Sequence, residues 1–416
     1  MKNTPIAVCL LATALLCLGP ATVQAQEDLQ AQIQQIRQQL SEVDALKAKL
    51  AELEMKLDEI RKAQDAASPT VTTALKGSKL KIDARIFTGL FGSGDDGSYP
   101  NWSTDVKDAK LRLTYSPSKN ITVVNRFSTS SAKTGDFDYF YLDYKGALSP
   151  TSILRLGQRK PDVGQETWVD NPVENMLLTT AVSGVAGYAT GVALLGGLRD
   201  AKTSPLYEVG FMNGPKGVMA RPTSSLPFNV KLGLPLPGNL FASASYFDSG
   251  KLHASDKSAI SVGGLTSAPN GATEWSRKLW EVDLRYNYGD AGIRPLIPTK
   301  DLPPVMLGAT YGSFNDDATG AGDRDGKFWF VEGLVRLSPK AYTAARYSVV
   351  DLENGVLAKL GGSPANVNSY RRTSIGLGYA LTDLTHLKAE YTINDTSGGS
   401  DGPSINQWAV GVASKF

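Results

Sequence analysis

From about residue 79 to its end, the chain is a series of short segments in which apolar and polar residues alternate with a period of two. The segment 280–286, WEVDLRY, places apolar residues at every even position and charged residues at every odd position. Because successive side chains of a strand point to opposite faces, this alternation predicts β-strands with one apolar face and one polar face. A soluble β-sandwich alternates in the same way, so the pattern by itself leaves a sandwich and a membrane barrel open.

The connections between these strands distinguish the two architectures. The connections after odd-numbered strands are mostly long, and those after even-numbered strands are mostly tight. An outer-membrane barrel has short turns at its periplasmic end and long loops at its other end, whereas a sandwich has no reason for such an asymmetry. The sixteen predicted strands are 80–91, 105–115, 121–130, 136–145, 152–159, 185–199, 205–213, 226–234, 239–249, 275–288, 302–313, 326–337, 341–350, 369–380, 385–394 and 406–416. The predicted long connections are 92–104, 160–184, 214–225, 250–274, 314–325, 351–368 and 395–405.

The sequence therefore predicts an all-β fold: a 16-stranded antiparallel transmembrane β-barrel over 79–416, preceded by an N-terminal α-helical coiled coil. Because the number of strands is even, the first and last residues of the barrel domain are both expected on the periplasmic side. The last strand ends on Phe416, as in the closing strands of outer-membrane barrels, which it resembles. Aromatic residues near strand ends are expected to form the belts at the membrane interfaces, and they are Tyr115, Tyr188, Tyr288 and Tyr379.

Residues 1–25 have the pattern of a secretory signal peptide. Lys2 precedes an apolar run over 6–18, and Ala25 ends a cleavage site of small residues. The only two cysteines, Cys9 and Cys17, lie in this segment, so the mature chain is predicted to lack disulfides and thiolate sites. Each cysteine follows a bulky residue, which argues against lipidation. We therefore expect the protein to be exported to the bacterial outer membrane.

Residues 26–66 have the spacing of a periplasmic coiled coil. Apolar residues from Leu29 to Ile60 recur in steps of four and three, with one repeated step of three between Val43 and Leu46. Isoleucine at both kinds of seam position favours a three-stranded coil. A single amphipathic helix packed on its own domain is the alternative. Residues 67–78 contain Pro69 and several threonines, and they are predicted to be a linker to the barrel domain.

Two motifs resemble the phosphate-selective porin O and P family. The segment 140–145, FYLDYK, followed by 154–161, LRLGQRKP, is similar to a strand of that family that leads into a Gly-Gln-x-Lys-Pro segment. The similarity covers roughly 105–215. It implies a trimeric, sixteen-stranded porin, often with an N-terminal coiled coil. It does not establish phosphate as the solute, because many members of the family have no assigned solute. The connection 160–184 has no dense run of basic residues, which argues against strong phosphate selectivity.

A sixteen-stranded barrel is too wide for side chains to fill, so we expect a water-filled channel whose inward charges set its selectivity. We therefore predict a porin for the passive diffusion of small hydrophilic solutes. In the predicted register, inward basic residues outnumber inward acidic ones, and this excess predicts a mild preference for anions, phosphate-type anions included. The alternative is that these residues form salt-bridged ladders with no net field. The predicted pore-lining residues are Arg85, Lys110, Arg112, Arg126, Arg155, Arg159, Arg277, Arg285, Arg336, Arg346, Arg372 and Lys388.

The connection 160–184 follows the fifth strand and is predicted to be the constriction loop. An acidic loop that faces a basic wall would create a transverse field, as general porins do by resemblance, and it weakens the preference for anions. The alternative is a surface loop that points outward. Its predicted constriction residues are Asp162, Glu166, Trp168, Asp170 and Glu174.

Other classes of function have less support. The net charge of +2 gives no basic face for nucleic acid. The two histidines, His253 and His386, are predicted to lie at opposite ends of the barrel, so no enzymatic site is expected. The acidic segment 312–326 is more typical of a solvated loop than of a calcium site, and no metal or cofactor is expected. A sugar-preferring porin and a structural tether that acts through its coiled coil remain as alternatives. The expected partners are the lipid bilayer, small solutes or anions, and two further copies of the chain in a homotrimer.

Overall fold

The structure is a computed structural model, and it describes a defined part of the chain. The predicted signal peptide (1–25), coiled coil (26–66) and linker (67–78) lie outside the described ranges and remain predictions. In the described part, no helix is long and apolar enough to cross a membrane. The described residues are 79–94, 102–129, 137–166, 171–197, 206–215, 226–288, 302–360, 366–399 and 405–416, with four single positions nearer the N-terminus.

Sixteen antiparallel strands form a closed barrel. Each strand pairs with its neighbours in sequence, and the first pairs with the last over Arg85–Ser93 and Gln407–Lys415. The barrel strands are β1 (Leu80–Ser93), β2 (Ser103–Tyr115), β3 (Ile121–Ser128), β4 (Phe137–Lys145), β5 (Ile153–Arg159), β7 (Ala189–Gly196), β8 (Leu206–Pro215), β9 (Phe228–Leu236), β10 (Leu240–Asp248), β13 (Glu274–Tyr286), β14 (Val305–Thr319), β15 (Arg324–Arg336), β16 (Ala341–Leu352), β17 (Ser369–Ala380), β18 (Thr385–Ser397) and β19 (Gln407–Lys415). The short strands β6 (Val185–Gly187), β11 (Leu252–His253) and β12 (Ile260–Val262) lie in the connections.

The predicted sixteen-stranded barrel is confirmed, and two of its details are wrong. The predicted strand 185–199 is divided, because β6 leaves the wall and pairs with β12 before β7 begins at Ala189. The predicted long connection 314–325 is mostly strand, because β14 and β15 pair as far as Asp316 and Arg324. Only residues 320–323 separate these two strands. The acidic residues of this segment therefore belong to the barrel wall and its turn.

The outer face of the barrel is apolar and exposed, as the membrane requires. On β13 the even positions from Trp280 to Tyr286 are exposed, and the odd positions from Trp275 to Arg285 are buried. Tyr115 and Tyr379 are exposed near strand ends, as expected for an interfacial belt. The other two predicted belt residues are wrong. Tyr188 and Tyr288 lie where the strand alternation ends, and their hydroxyl groups bond to inward-facing residues of the wall, Arg126 and Glu332.

The two ends of the barrel differ, and we name them for their connections. At the turn end the strands are joined by short turns, namely 116–120, 146–152, 237–239, 337–340 and 381–384. At the loop end, the connections 160–188, 249–273 and 353–368 contribute buried residues to the interior. The loop end therefore fills part of the barrel interior.

Candidate functional site

The inward side chains of the barrel differ in how far solvent reaches them. On β1–β5, Arg112 is 40% exposed, whereas Arg85, Lys110 and Arg155 are 11–15% exposed and Arg126 is 9% exposed. On the opposite side, Lys231 of β9 and Arg277 of β13 are fully buried. The inward side chains of β1–β5 are called the open wall below.

Charges of opposite sign alternate along the open wall. The register places Asp83 opposite Arg112 and Arg85 opposite Lys110 on neighbouring strands. Arg112 binds Asp83 at 2.9 Å, and Arg85 binds Asp108 at 2.6 Å. These pairs neutralise much of the basic charge that the alternation alone predicts for the lumen.

A bulge between β3 and β4 adds an acid that the sequence pattern missed. The register shifts at Arg126/Phe127, so the adjacent residues Asp138 and Tyr139 are both buried against Arg126. Asp138 lies 3.3 Å from Arg126 and 2.9 Å from Lys110. A strict period of two cannot place two successive side chains on one face, and the only signal in the sequence was the interruption of the alternation before Tyr139.

Tyrosine rings support two arginines of the open wall. The guanidinium carbon of Arg155 lies 4.0 Å from the ring centre of Tyr141, and its nitrogens bind Asp143 at 2.7 and 2.8 Å. Arg126 lies 3.7 Å above the ring of Tyr139. Stacking on a ring and pairing with a carboxylate fix a long side chain in one position. The open wall is therefore a stiff surface of arginines, carboxylates and phenol rings.

The connection 160–184 lies inside the barrel, and its first part contacts β8 and β9. Asp162 accepts a hydrogen bond from the ammonium group of Lys231 at 2.8 Å, and its backbone N–H donates to Glu208 at 3.1 Å. Lys231 also donates to the carbonyl of Gly164 at 2.9 Å. Arg159, at the end of β5, pairs with Glu208.

The middle of this loop contains a buried carboxylate. Glu166 accepts a hydrogen bond from the backbone N–H of Ala181 at 2.7 Å and lies 3.5 Å from Arg346 of β16. Burial raises the pKa of Glu166, and the positive charge of Arg346 opposes that rise. The side chain bridges the two arms of the loop and ties them to the wall.

The far part of the loop reaches β1 and β19. Glu174 lies 3.2 Å from both Arg85 and Lys415 and accepts a hydrogen bond from Asn171 at 2.9 Å. Burial alone raises the pKa of Glu174, but Arg85 and Lys415 outweigh burial and hold that pKa at about 2. The described parts of the loop thus contact the wall at β9 as well as at β1 and β19.

Side chains of β16–β18 hold the backbone of the same loop. Lys388 donates to the carbonyls of Pro172 and Asn175 at 2.7 and 2.6 Å. Glu390 accepts hydrogen bonds from the backbone N–H groups of Leu178 and Thr179. Among the described residues, neither Arg372 nor Lys388 has a carboxylate within 4.0 Å; Arg372 donates to the carbonyl of Thr180 at 3.2 Å.

A cavity of about 340 Å³ remains between the loop and the wall formed by β1 and β17–β19. Phe87 and Phe91 give it an apolar side, and its charged lining residues are Arg372, Lys107 and Glu390. Lys107 enters the lumen because a bulge at Phe87/Thr88 disturbs the alternation of β2. This cavity is the second place where a solute meets inward-facing basic groups.

The predicted pore-lining residues are inward, but they do not all belong to one pathway. Nine of the twelve pair with a carboxylate: Arg85, Lys110, Arg112, Arg126, Arg155, Arg159, Arg277, Arg285 and Arg346. Arg336 donates to the carbonyl of Leu302 at 2.6 Å. Six of the twelve are buried, namely Arg126, Arg159, Arg277, Arg285, Arg346 and Lys388. Of the predicted constriction residues, Asp162, Glu166 and Glu174 line the loop as described, whereas Trp168 and Asp170 lie outside the described residues.

The residues that usually bind metal ions are scattered over the described part of the chain. No group of three or more histidine, cysteine, aspartate or glutamate residues there could hold a metal ion. His253 lies in the connection 249–273 at the loop end, and His386 lies next to the turn 381–384 at the turn end. The two histidines are therefore at opposite ends of the barrel and cannot act on one substrate.

The fold is similar to those of solved outer-membrane proteins. The outer membrane channel DcaP of Acinetobacter baumannii aligns with a TM-score of 0.56 and 14% identity, over 81% of this chain and 97% of that chain. The anion-selective porin from Comamonas acidovorans aligns with a TM-score of 0.53 and 13% identity, over 81% and 99%. The outer membrane protein OmpT of Vibrio cholerae, in a trimer form, aligns with a TM-score of 0.53 and 13% identity, over 81% and 99%.

No protein-family model matches the chain, and no curated protein matches its sequence. The resemblance to the phosphate-selective porins therefore rests on the short motifs alone. At identities this low, the structural likeness shows the fold and not the solute. The chain has the barrel fold of outer-membrane porins.

Proposed function

We propose that this protein is an outer-membrane porin that lets small hydrophilic solutes diffuse passively through its lumen. The observation that carries this proposal is the open wall: a strip of charged side chains, with Arg112 40% exposed, inside a barrel whose outer face is apolar. The porin fold of the similar structures supports the same function.

The proposed channel has a mild preference for anions. Pairing with carboxylates cancels most of the basic charge, so a strong preference is not expected. The remaining bias comes from Arg112, which is the most exposed arginine of the open wall, and from Arg372 in the cavity beside the loop. Inward charges act on ions over about 8 Å at physiological salt, so these few groups are sufficient for a weak effect. Phosphate-type anions are candidate solutes on the resemblance of the 140–161 segment.

We further propose that the protein is a homotrimer in the bacterial outer membrane, with its turn end and coiled coil in the periplasm. The trimer form of the Vibrio cholerae protein and the isoleucine-containing seam of 26–66 support three copies. Short turns at the periplasmic end are the rule for outer-membrane barrels. Cross-linking of the mature protein before and after deletion of 26–66 tests whether the coil holds the trimer together.

The function is tested by swelling of liposomes that contain the purified mature protein. A channel admits small neutral sugars such as arabinose and makes the liposomes swell, with slower swelling for disaccharides. Absence of swelling with both arabinose and small anions contradicts the porin function and leaves the tether as the better account. Faster uptake of sugars than of anions of similar size favours a sugar-preferring porin.

A further inference from the structure

Three connections of the loop end meet in one apolar cluster inside the barrel. Residues of the constriction loop and β6 pack there against the connection 249–273 and against the connection 353–368. Ile260 and Val262 are fully buried in this cluster, as is Leu360. The cluster also contains inward residues of the wall, namely Phe247, Leu279, Phe314, Phe328 and Val350. It fills the side of the lumen opposite the open wall, and we call it the plug.

A pair of strands joins the two larger loops of the plug. β12 of the connection 249–273 pairs with β6, so Ser261 is opposite Ala186 and Val262 is opposite Val185. The hydroxyl group of Ser261 donates to the carbonyl of Ala186 at 2.8 Å. The N–H of Gly263 donates to the carbonyl of Gly184 at 3.3 Å. The constriction loop is thus fastened to a second loop as well as to the wall.

A buried cluster of charges fixes the second loop to the wall. Arg277 of β13 binds Asp316 of β14 through two hydrogen bonds of 2.7 and 2.8 Å, and Arg324 of β15 shares the same carboxylate. The remaining donors hold loop carbonyls: Arg277 donates to Ile260 at 3.1 Å and to Leu265 at 2.6 Å. Arg324 donates to the carbonyl of Ser267 at 2.7 Å.

The position of this cluster excludes a direct role in ion selectivity. The side chains of Arg277 and Asp316 are 0% exposed, and Arg324 is 6% exposed. A fully paired guanidinium group that water does not reach cannot bind a passing anion. Burying such a pair is costly unless its hydrogen bonds are satisfied, and here the two arginines meet one carboxylate and three loop carbonyls.

We propose that Arg277, Asp316 and Arg324 form a clamp that holds the plug in place, and that the clamp and the β6–β12 pair set the size limit for solutes. The clamp keeps the second loop folded inward, the second loop holds β6, and β6 holds the end of the constriction loop. Loosening either contact frees the plug and widens the lumen beyond the open wall. This inference rests on the proposed porin function.

The test compares pore size in bilayers and liposomes for variants of each contact. Arg277→Met keeps the length of the side chain but removes the clamp, and Ser261→Pro removes a backbone donor and a hydroxyl group from the β6–β12 pair without changing the wall. We expect each variant to raise single-channel conductance on the order of twofold and to admit larger oligosaccharides, with little change in ion selectivity. Arg155→Met is the matched control, because it removes an arginine from the open wall and should change selectivity more than size limit.

Engineered cysteines make the same test reversible. The chain has only the cysteines at 9 and 17, both in the predicted signal peptide, so Ala186→Cys with Ser261→Cys provides a single new pair across β6 and β12. In the Arg277→Met background, oxidation of this pair should restore the original conductance, and reduction should raise it again.

If the unmodified protein conducts while Arg277→Met and Ser261→Pro keep its conductance and size limit, the clamp has no such role. If Arg277→Met does not assemble, Ser261→Pro decides alone. If the unmodified protein does not conduct, the proposed function fails, and the clamp with it.

Discussion

Arg112 is the residue at which the proposed selectivity is most open to test. It is paired with Asp83 yet 40% exposed, so its charge still reaches the solvent of the lumen. We expect Arg112→Ala to lower the permeability ratio of chloride to potassium by about a factor of two, since a single screened charge acts only over a short distance. Reversal potentials under a salt gradient measure this ratio. Lys278→Ala is the control, because Lys278 lies on the outer face and its loss should leave the ratio unchanged.

Glu174 gives the loop a dependence on pH whose sign follows from its lowered pKa. Its pKa of about 2 in the folded protein lies below the ordinary value of 4.5. The stabilisation from this carboxylate is therefore complete above pH 4.5 and is lost as the pH falls through about 2. We expect current traces at pH 4 to match those at pH 7, and Glu174→Gln to add open-channel noise at both pH values. The assignment is wrong if the unaltered protein at pH 4 already behaves like Glu174→Gln.

At the level of single residues, the alternation predicted which side chains face inward but not what they contact. Arg155 was predicted to line the pore, and the sequence pattern gave no sign that Tyr141 and Asp143 hold it. Asp138 was missed because a bulge displaces it to the inner face. Such contacts depend on the register between neighbouring strands. One sequence predicts that register only where one face of the strand is strongly apolar.

At the level of elements, the strands were predictable and the interior connections were not. The outer face of each strand must be apolar, so period-two alternation identified the wall. The pairing of β6 with β12 joins residues about seventy positions apart through a three-residue contact, and no local pattern indicates it. The segment 314–325 is polar because its inward side chains pair with one another across the wall, and this polarity resembles that of a loop.

The constriction loop is also attached to β18. Glu390 receives two backbone N–H groups of the loop, which would otherwise have no acceptor in that position. We expect Glu390→Ala to release this part of the loop and to increase the current noise of the open channel. Single-channel recordings measure the effect, with Asp317→Ala as the control because Asp317 pairs with the outward-facing Lys278. Unchanged noise in Glu390→Ala would mean that the other contacts suffice to hold the loop.

For the whole molecule, closure of the barrel depends on the last strand. The backbone of Phe416 exchanges hydrogen bonds with Ala84 at 2.8 and 3.2 Å, while its side chain is 67% exposed. The ring thus adds little to the packing of the finished barrel. We expect Phe416→Ala to lower the amount of protein assembled in the membrane and to leave the thermal stability of the assembled barrel nearly unchanged. Equal loss of both would assign the ring a structural role instead.

We propose that the barrel contains a continuous, weakly anion-preferring pathway along the open wall. The most direct measurement is the reversal potential of the purified mature protein in a planar bilayer under a potassium chloride gradient. We expect steady conductance and a small reversal potential in the direction of chloride selectivity. A clear preference for potassium would contradict the proposed selectivity, and the absence of conductance would contradict the channel itself.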